Sequence, residues 1–199
     1  MPSAMRWRCV GFSVRWTTMS DNGSKSPVRI PVAALALSAA GLIGIVTREG
    51  YTEKAIIPTT GDVPTAGFGS TVHADGTRVR MGDRLDPVRA LYTSQAHIAR
   101  DEAKFRASLS GVALTQGEYD LYLDFTYQYG ISNWRGSSMR SQLLAGNYSA
   151  ACDALLRYRF AAGYDCSTTI NGQPNRRCWG VWERQRERYA QCLTEQVAQ

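Results

Sequence analysis

At 199 residues the chain is long enough to bury a sizeable single-domain core, and 44% hydrophobic against 20% charged residues is ordinary for a globular protein. The net charge of +6 favours anionic partners: nucleic acid, anionic lipid or a bacterial envelope. The arginines are scattered, and their one local excess, "RRCWGVWERQRER" at 176–188, reads as a solvated helix face rather than a nucleic-acid patch. With two histidines and no C-x-x-C, a metal site is not expected.

Residues 1–28 have no clear periodicity and read as a flexible basic leader, with Met1 and Met19 both available as starts. From Ile30 to Thr47 follow 18 residues without a charge, bracketed by Arg29 and Arg48. That length sits at the lower edge of what crosses a bilayer, where about 20 apolar residues are usual. The run is also weakly hydrophobic, being rich in Ala, Gly and Ser. Upstream, Arg6, Arg8, Arg15, Lys25 and Arg29 face a single acid, Asp21, a bias that keeps the N-terminus inside and sends residues after Arg48 outward. Three readings stand: a buried core helix, a cleaved signal peptide ending at the small residues of "ALSAAG", and an uncleaved, weak membrane anchor. The anchor is preferred because apolar "LIGIV" continues past those small residues. The chain then divides into the leader, an anchor or first helix over 29–47, and a folded domain over 48–199.

Directly after the run comes "REGYTEKAIIPTTGDVPTAGFGST". Glu49 ends the apolar stretch, and Asp62 lies in a segment dense with Gly, Pro and Thr. Asp75-Gly76 within "VHADGTRVRMGD" marks a hairpin. Helical spacing follows over 85–109, with Pro87 in the first turn, and over 114–130, with Thr115 as N-cap and Gly130 as stop. In the latter, Tyr119, Leu121, Tyr122, Leu123, Phe125 and Tyr129 form a broad buried face. Further helices are expected over 137–146, over 148–163 closed by Gly163, and over 179–196. The fold class is α+β, mainly α, with one small β hairpin near the N-terminal side.

Of the five cysteines, Cys9 falls in the leader, while Cys152, Cys166, Cys178 and Cys192 fall in the last 48 residues. In an exported domain these four are read as disulfides. Three pairings exist, and loop proximity favours Cys166 with Cys178, leaving Cys152 and Cys192 for a second bridge.

Two carboxylates flanking a cleft suit glycoside hydrolysis, which needs an acid at the leaving oxygen and a second group across the sugar ring. Glu49, ending an apolar helix, suits a poorly solvated acid site; the plain alternative is a surface acid paired with Arg48. Asp62 is read as the second group, or else as a turn former beside Gly61. Thr65 offers a hydroxyl to the same water, or is an ordinary strand residue. Gly67 and Gly69 allow close backbone approach, or serve strand curvature. Glu53 is read as solvent-exposed.

The order of these segments resembles the phage lysozymes of the T4 and P21 type. "REGY" with "GDVPTAGFGST" is similar to that family's "EG" and "PTIGYG" elements; "LTQGEYDLYLDFTYQYG", "SSMRSQLLAGNYSAACDAL" and "GVWERQRE" resemble its later helices. The resemblance spans about residues 33 to 193. It implies a lysozyme-like fold with a helical C-terminal lobe, and an endolysin that hydrolyses the β-1,4 bond between N-acetylmuramic acid and N-acetylglucosamine. It implies Glu49, Asp62 and Thr65 as catalytic, with Gly67, Phe68, Gly69 and Gln128 against substrate. Gln128 stands where the family usually has Asn. The family's acid lies six residues before the Thr of "PT", a slot filled here by Thr59; Asp62 lies three before Thr65, in a loop one residue longer. No cofactor is implied. The expected partners are peptidoglycan strands and, through residues 30–47, the inner membrane. The expected protein is an exported monomer, tethered first and then free in the periplasm. The rival readings are a lytic transglycosylase, giving 1,6-anhydro products, and a membrane-anchored glycan-binding protein without turnover.

Overall fold

The structure, a computed structural model, describes residues 28–59 and 61–196. The leader over 1–27, with Cys9, lies outside the described residues.

The apolar run is not one continuous helix. It opens with strand β1 (Ile30–Pro31), passes a 3-10 turn at Val32–Ala34, runs extended to Ser38, and only then forms α1 (Ala39–Glu49). Ser38 sets that start: its hydroxyl accepts from the Gly41 amide at 2.9 Å and donates to Asp120 Oδ2 at 2.5 Å. Gly50, at φ 72°, ends the helix. Among the described residues no helix is long and apolar enough to cross a membrane.

Strand β2 (Thr52–Ile56) pairs antiparallel with β3 (Thr65–Gly67). Thr52 faces Gly67 and Ile56 faces Thr65, so four residue steps on β2 oppose two on β3. That irregularity is a β-bulge, which bends the ribbon. The expected hairpin over 72–83 is present in reduced form, as one Val72–Arg78 bridge around a turn at Gly76. Helix α2 (Pro87–Ala107) starts at the N-cap Asp86 and passes from this small β layer into the helical body. Strand β4 (Ala113–Leu114) pairs with β1.

Helix α3 (Gln116–Tyr129) is the centre of the molecule. Thr115 caps it reciprocally with Glu118, and all six residues expected on its buried face are buried or packed against the core. Around it lie α4 (Ile131–Arg135), α5 (Ser138–Leu144), α6 (Tyr148–Leu155) and α7 (Trp179–Thr194). Phe105, Tyr119, Tyr122, Phe125 and Trp134 are fully buried in one cluster with aromatic contacts of 5.0–6.3 Å. A second, small core of Ala55, Ala66, Val79, Leu85 and Ala90 lies under the β layer. The mainly α, α+β expectation holds.

The helix expected to continue to Gly163 ends at Leu155 instead. Beyond it, β5 (Phe160–Ala161) pairs with β6 (Tyr164–Asp165), and β7 (Thr169–Ile170) pairs with β8 (Gln173–Pro174). Gly163 is a hairpin turn, not a helix stop; it and Ala162 both have positive φ. Disulfides join Cys166 to Cys178 and Cys152 to Cys192, the pairing favoured by loop proximity.

The run from 29 to 48 is fastened to α3 at three acids. Arg29 pairs with Glu118 at 2.6 Å, Ser38 bonds Asp120, and Arg48 reaches Asp124 at 3.1 Å. Glu118 is 0% and Asp124 7% exposed. Without the run Glu118 would lose its only guanidinium partner among the described residues, whereas Asp124 would keep Arg184 and Arg188.

Candidate active site

Glu49 is the last residue of α1, and the next two residues turn the chain into β2. Its carboxylate is exposed and makes no ion pair among the described residues. Arg48, the expected surface partner, turns instead to Asp124 and Glu187. Exposure also corrects the expectation of a poorly solvated acid: in the free domain water reaches Glu49, because α1 buries Ile45 and Val46 while its last turn projects past the core.

Across from it sits the turn after β3. A Cβ built on Gly69 would lie 3.9 Å from Glu49 Oε2, and Gly69 has φ 73°. Glycine therefore keeps both an otherwise strained backbone and the space beside the carboxylate. Gly67 answers to packing: at φ 67°, a Cβ there would lie 2.8 Å from the Ala90 Cβ on α2. Phe68, half-buried, packs on the small core and meets the Tyr51 ring at 5.5 Å; the Tyr51 hydroxyl donates to the Leu85 carbonyl at 2.7 Å.

Asp62 lies in the exposed β2–β3 loop, where its amide donates to the Thr59 carbonyl at 2.9 Å and closes a turn. Thr65 opens β3, half-buried, and its hydroxyl approaches the Ile56 carbonyl only at 3.5 Å. That is too long to hold it, so the hydroxyl remains available to another partner. Glu53 is exposed as expected and pairs with Arg84 at 2.6 Å.

Helix α3 contributes its last turn. Gln128 is half-buried, and its Oε1 is buried without a partner among the described residues. Neighbouring Tyr127 was not singled out in the sequence. Burial, and then the nearby charges of Glu49 and Asp101, push its phenol up. The usable signal was an aromatic residue beside Gln128 but off the buried stripe of α3.

Behind the site, Asp124 collects three guanidinium groups. Arg184 lies at 2.6 Å, Arg188 at 2.6 Å and Arg48 at 3.1 Å. Burial opposes the charge on Asp124, but Arg188 and Arg184 together outweigh it and hold the carboxyl below its ordinary value. Among the described residues no group of His, Cys, Asp and Glu is arranged to hold a metal ion.

A profile of the phage lysozyme family matches residues 46–179. The endolysin of Salmonella phage P22 is 30% identical over 127 residues, covering 64% of this chain and 86% of that protein. An endolysin from Escherichia coli phage FAHEc1 superposes with a TM-score of 0.65 at 25% identity, over 83% of this chain and 98% of that one. A variant of P22 lysozyme superposes at 0.65 and 27% identity, over 80% and 99%. The muramidase domain of SpmX from Asticaccaulis excentricus shares the fold at 19% identity, with a TM-score of 0.62 over 79% and 97%. A profile match over most of the chain and a solved structure spanned almost end to end agree on one assignment: the chain belongs to the phage lysozyme family, enzymes of the lysozyme-type glycosidase class that lyse peptidoglycan.

Proposed function

We propose that this endolysin hydrolyses the β-1,4 bond between N-acetylmuramic acid and N-acetylglucosamine, with Glu49 as general acid. The observation that carries the reading is Glu49 at the end of α1, beside a turn whose Gly69 has no side chain: a Cβ there would come into contact with Glu49 Oε2, at 3.9 Å. A saccharide bound against Glu49 displaces the water around it. The protonated carboxyl then donates to the leaving glycosidic oxygen as the bond to the anomeric carbon breaks. A water on the other face of the ring adds to that carbon and returns a proton to solvent. Thr65, with its unheld hydroxyl, and Asp62, in the exposed β2–β3 loop, are the groups available to orient and deprotonate this water. Gln128, whose Oε1 is buried without a partner among the described residues, is the group of α3 offered to the substrate. No cofactor takes part.

Digestion of purified sacculi tests the reaction class. Hydrolysis leaves reducing N-acetylmuramic acid ends. Fragments ending uniformly in 1,6-anhydro sugars would make the enzyme a transglycosylase, and binding without fragments would make it a glycan-binding protein.

The same reading extends to the run before Glu49. As a weak anchor it holds the exported protein at the inner membrane; on release it packs as β1, the 3-10 turn and α1, and the monomer acts in the periplasm. Arg29 and Arg48, which bracket the run, both end on buried acids of α3. That supports a domain completed only when the run leaves the bilayer.

A further inference from the structure

We infer that Arg48 is the positioning residue of this active site: its bridge from the last turn of α1 to Asp124 and Glu187 sets where the Glu49 carboxylate stands. The inference rests on reading Glu49 as the acid.

Glu49 has no ion pair of its own among the described residues, and Gly50, free in its φ, follows it directly. On the C-terminal side the nearest ties lie beyond that glycine, where the Tyr51 hydroxyl donates to the Leu85 carbonyl at 2.7 Å and Thr52 pairs with Gly67. On the N-terminal side the adjacent residue is tied twice. Arg48 Nη1 donates to Asp124 Oδ2 at 3.1 Å, and Nη2 donates to Glu187 Oε2 at 3.2 Å. These partners sit on α3 and α7, so one planar guanidinium staples three helices. Asp124 is itself immobilised, because Arg184 Nη2 at 2.6 Å and Arg188 Nε at 2.8 Å hold its two oxygens. Arg188 is 2% exposed. The anchor point is thus rigid, while Arg48 remains accessible at 38% side-chain exposure. A surface ion pair of this kind adds little to stability. Its consequence is geometric, since a displacement near 1 Å at a catalytic group can cost on the order of 100-fold in rate.

The test uses the full chain and soluble, peptide-free glycan oligosaccharides of defined length, with kcat, KM and the thermal midpoint measured together. Arg48→Ala should lower kcat about 10- to 100-fold, leave KM within about twofold, and keep the variant folded at the assay temperature. Arg48→Lys, which keeps the charge but reaches one carboxylate at a time, should recover part of the loss. Glu187→Ala, which removes only the exposed arm, should cost about two- to threefold. Lys104→Ala, breaking the surface pair with Asp101, serves as the neutral control. Wild-type kcat in Arg48→Ala, a rise in KM alone, or a loss equal to the unfolded fraction overturns the inference. If Arg48→Ala does not fold, Arg48→Lys carries the same test: wild-type kcat overturns the inference, and a reduced kcat at unchanged KM upholds it. An active Glu49→Gln variant would instead remove the premise, so the two failures are told apart.

Discussion

Two glycines of one turn should fail in different ways when each gains a methyl group. Gly67 and Gly69 both have positive φ, 67° and 73°, where an L side chain costs about 1–2 kcal/mol. At Gly69 a new Cβ meets nothing nearer than Glu49 Oε2 at 3.9 Å. At Gly67 it would stand 2.8 Å from the Ala90 Cβ and 3.3 Å from the Ala90 Cα, against an ordinary carbon contact of about 3.5–4.0 Å. Ala90 is fully buried and part of α2, so it cannot swing away. Overpacking of that kind adds about 1–3 kcal/mol. Gly67→Ala should therefore lose about 2–5 kcal/mol, and Gly69→Ala about 1–2. For a chain of this size each kcal/mol lowers the thermal midpoint by about 2–4 °C. Circular dichroism melts and a muralytic rate below both midpoints separate the two effects. Gly67→Ala should melt clearly lower than Gly69→Ala, while Gly69→Ala should lose more activity relative to its stability, because its methyl narrows the gap beside Glu49. Equal midpoints would refute the packing argument. A Gly69→Ala variant of full activity would refute a role for the bare backbone beside Glu49.

Other outcomes follow from the same structure. The Cys152–Cys192 bridge spans 40 residues and links two helices of the main core, so its removal should cost about 4 kcal/mol in the chain-entropy model. The Cys166–Cys178 bridge closes a span of 12 residues around the single β7–β8 hairpin, outside that core, so the paired Ala variants should show a smaller midpoint shift; the reverse order in calorimetry would contradict this. Asp124 is held below its ordinary value, so its contribution to stability is present above about pH 4 and is lost as pH falls through the folded-state value. Asp124→Asn should cost about 3–5 kcal/mol at neutral pH, since Arg188 and Arg184 lose their buried carboxylate, and should flatten the acid limb of the stability curve. An unchanged acid limb would show that other carboxylates dominate it. For the anchor, Ala40→Leu with Gly44→Leu strengthens the apolar run without crowding the folded domain, because Ala40 is exposed and no atom lies within 4 Å of a Cβ at Gly44. Retention in the membrane fraction and delayed lysis are expected; release at the wild-type rate would remove the tether.

Much of the helical body was legible in the sequence because its signals are local. Thr115, Pro87 and Gly130 mark helix ends by their own chemistry, and the buried face of α3 repeats at helical spacing. Strand β2 was not legible: "TEKAI" is polar and unpatterned, and it is extended only because β3 lies beside it. The end of α6 was misread for a similar reason. The sequence through Gly163 allows a helix, but the Arg159 carbonyl accepts from the Cys166 amide at 2.8 Å and folds the segment into hairpins. Around the proposed acid, order and spacing singled out Glu49 and Gly69, which the structure sets beside one another. The Asp124 hub was not, since its donors are 60 to 76 residues away in the chain and no local pattern announces them.

The central claim, that Glu49 supplies the proton, is tested most directly by turbidity loss of permeabilised Gram-negative cells treated with wild type and with Glu49→Gln at equal concentration. The amide keeps the size of the side chain but has no acidic proton to give, and general acid catalysis is worth about 100- to 10,000-fold. The account predicts a folded variant with the wild-type melting curve and lysis reduced by at least about 100-fold. Lysis within a few-fold of wild type would contradict it.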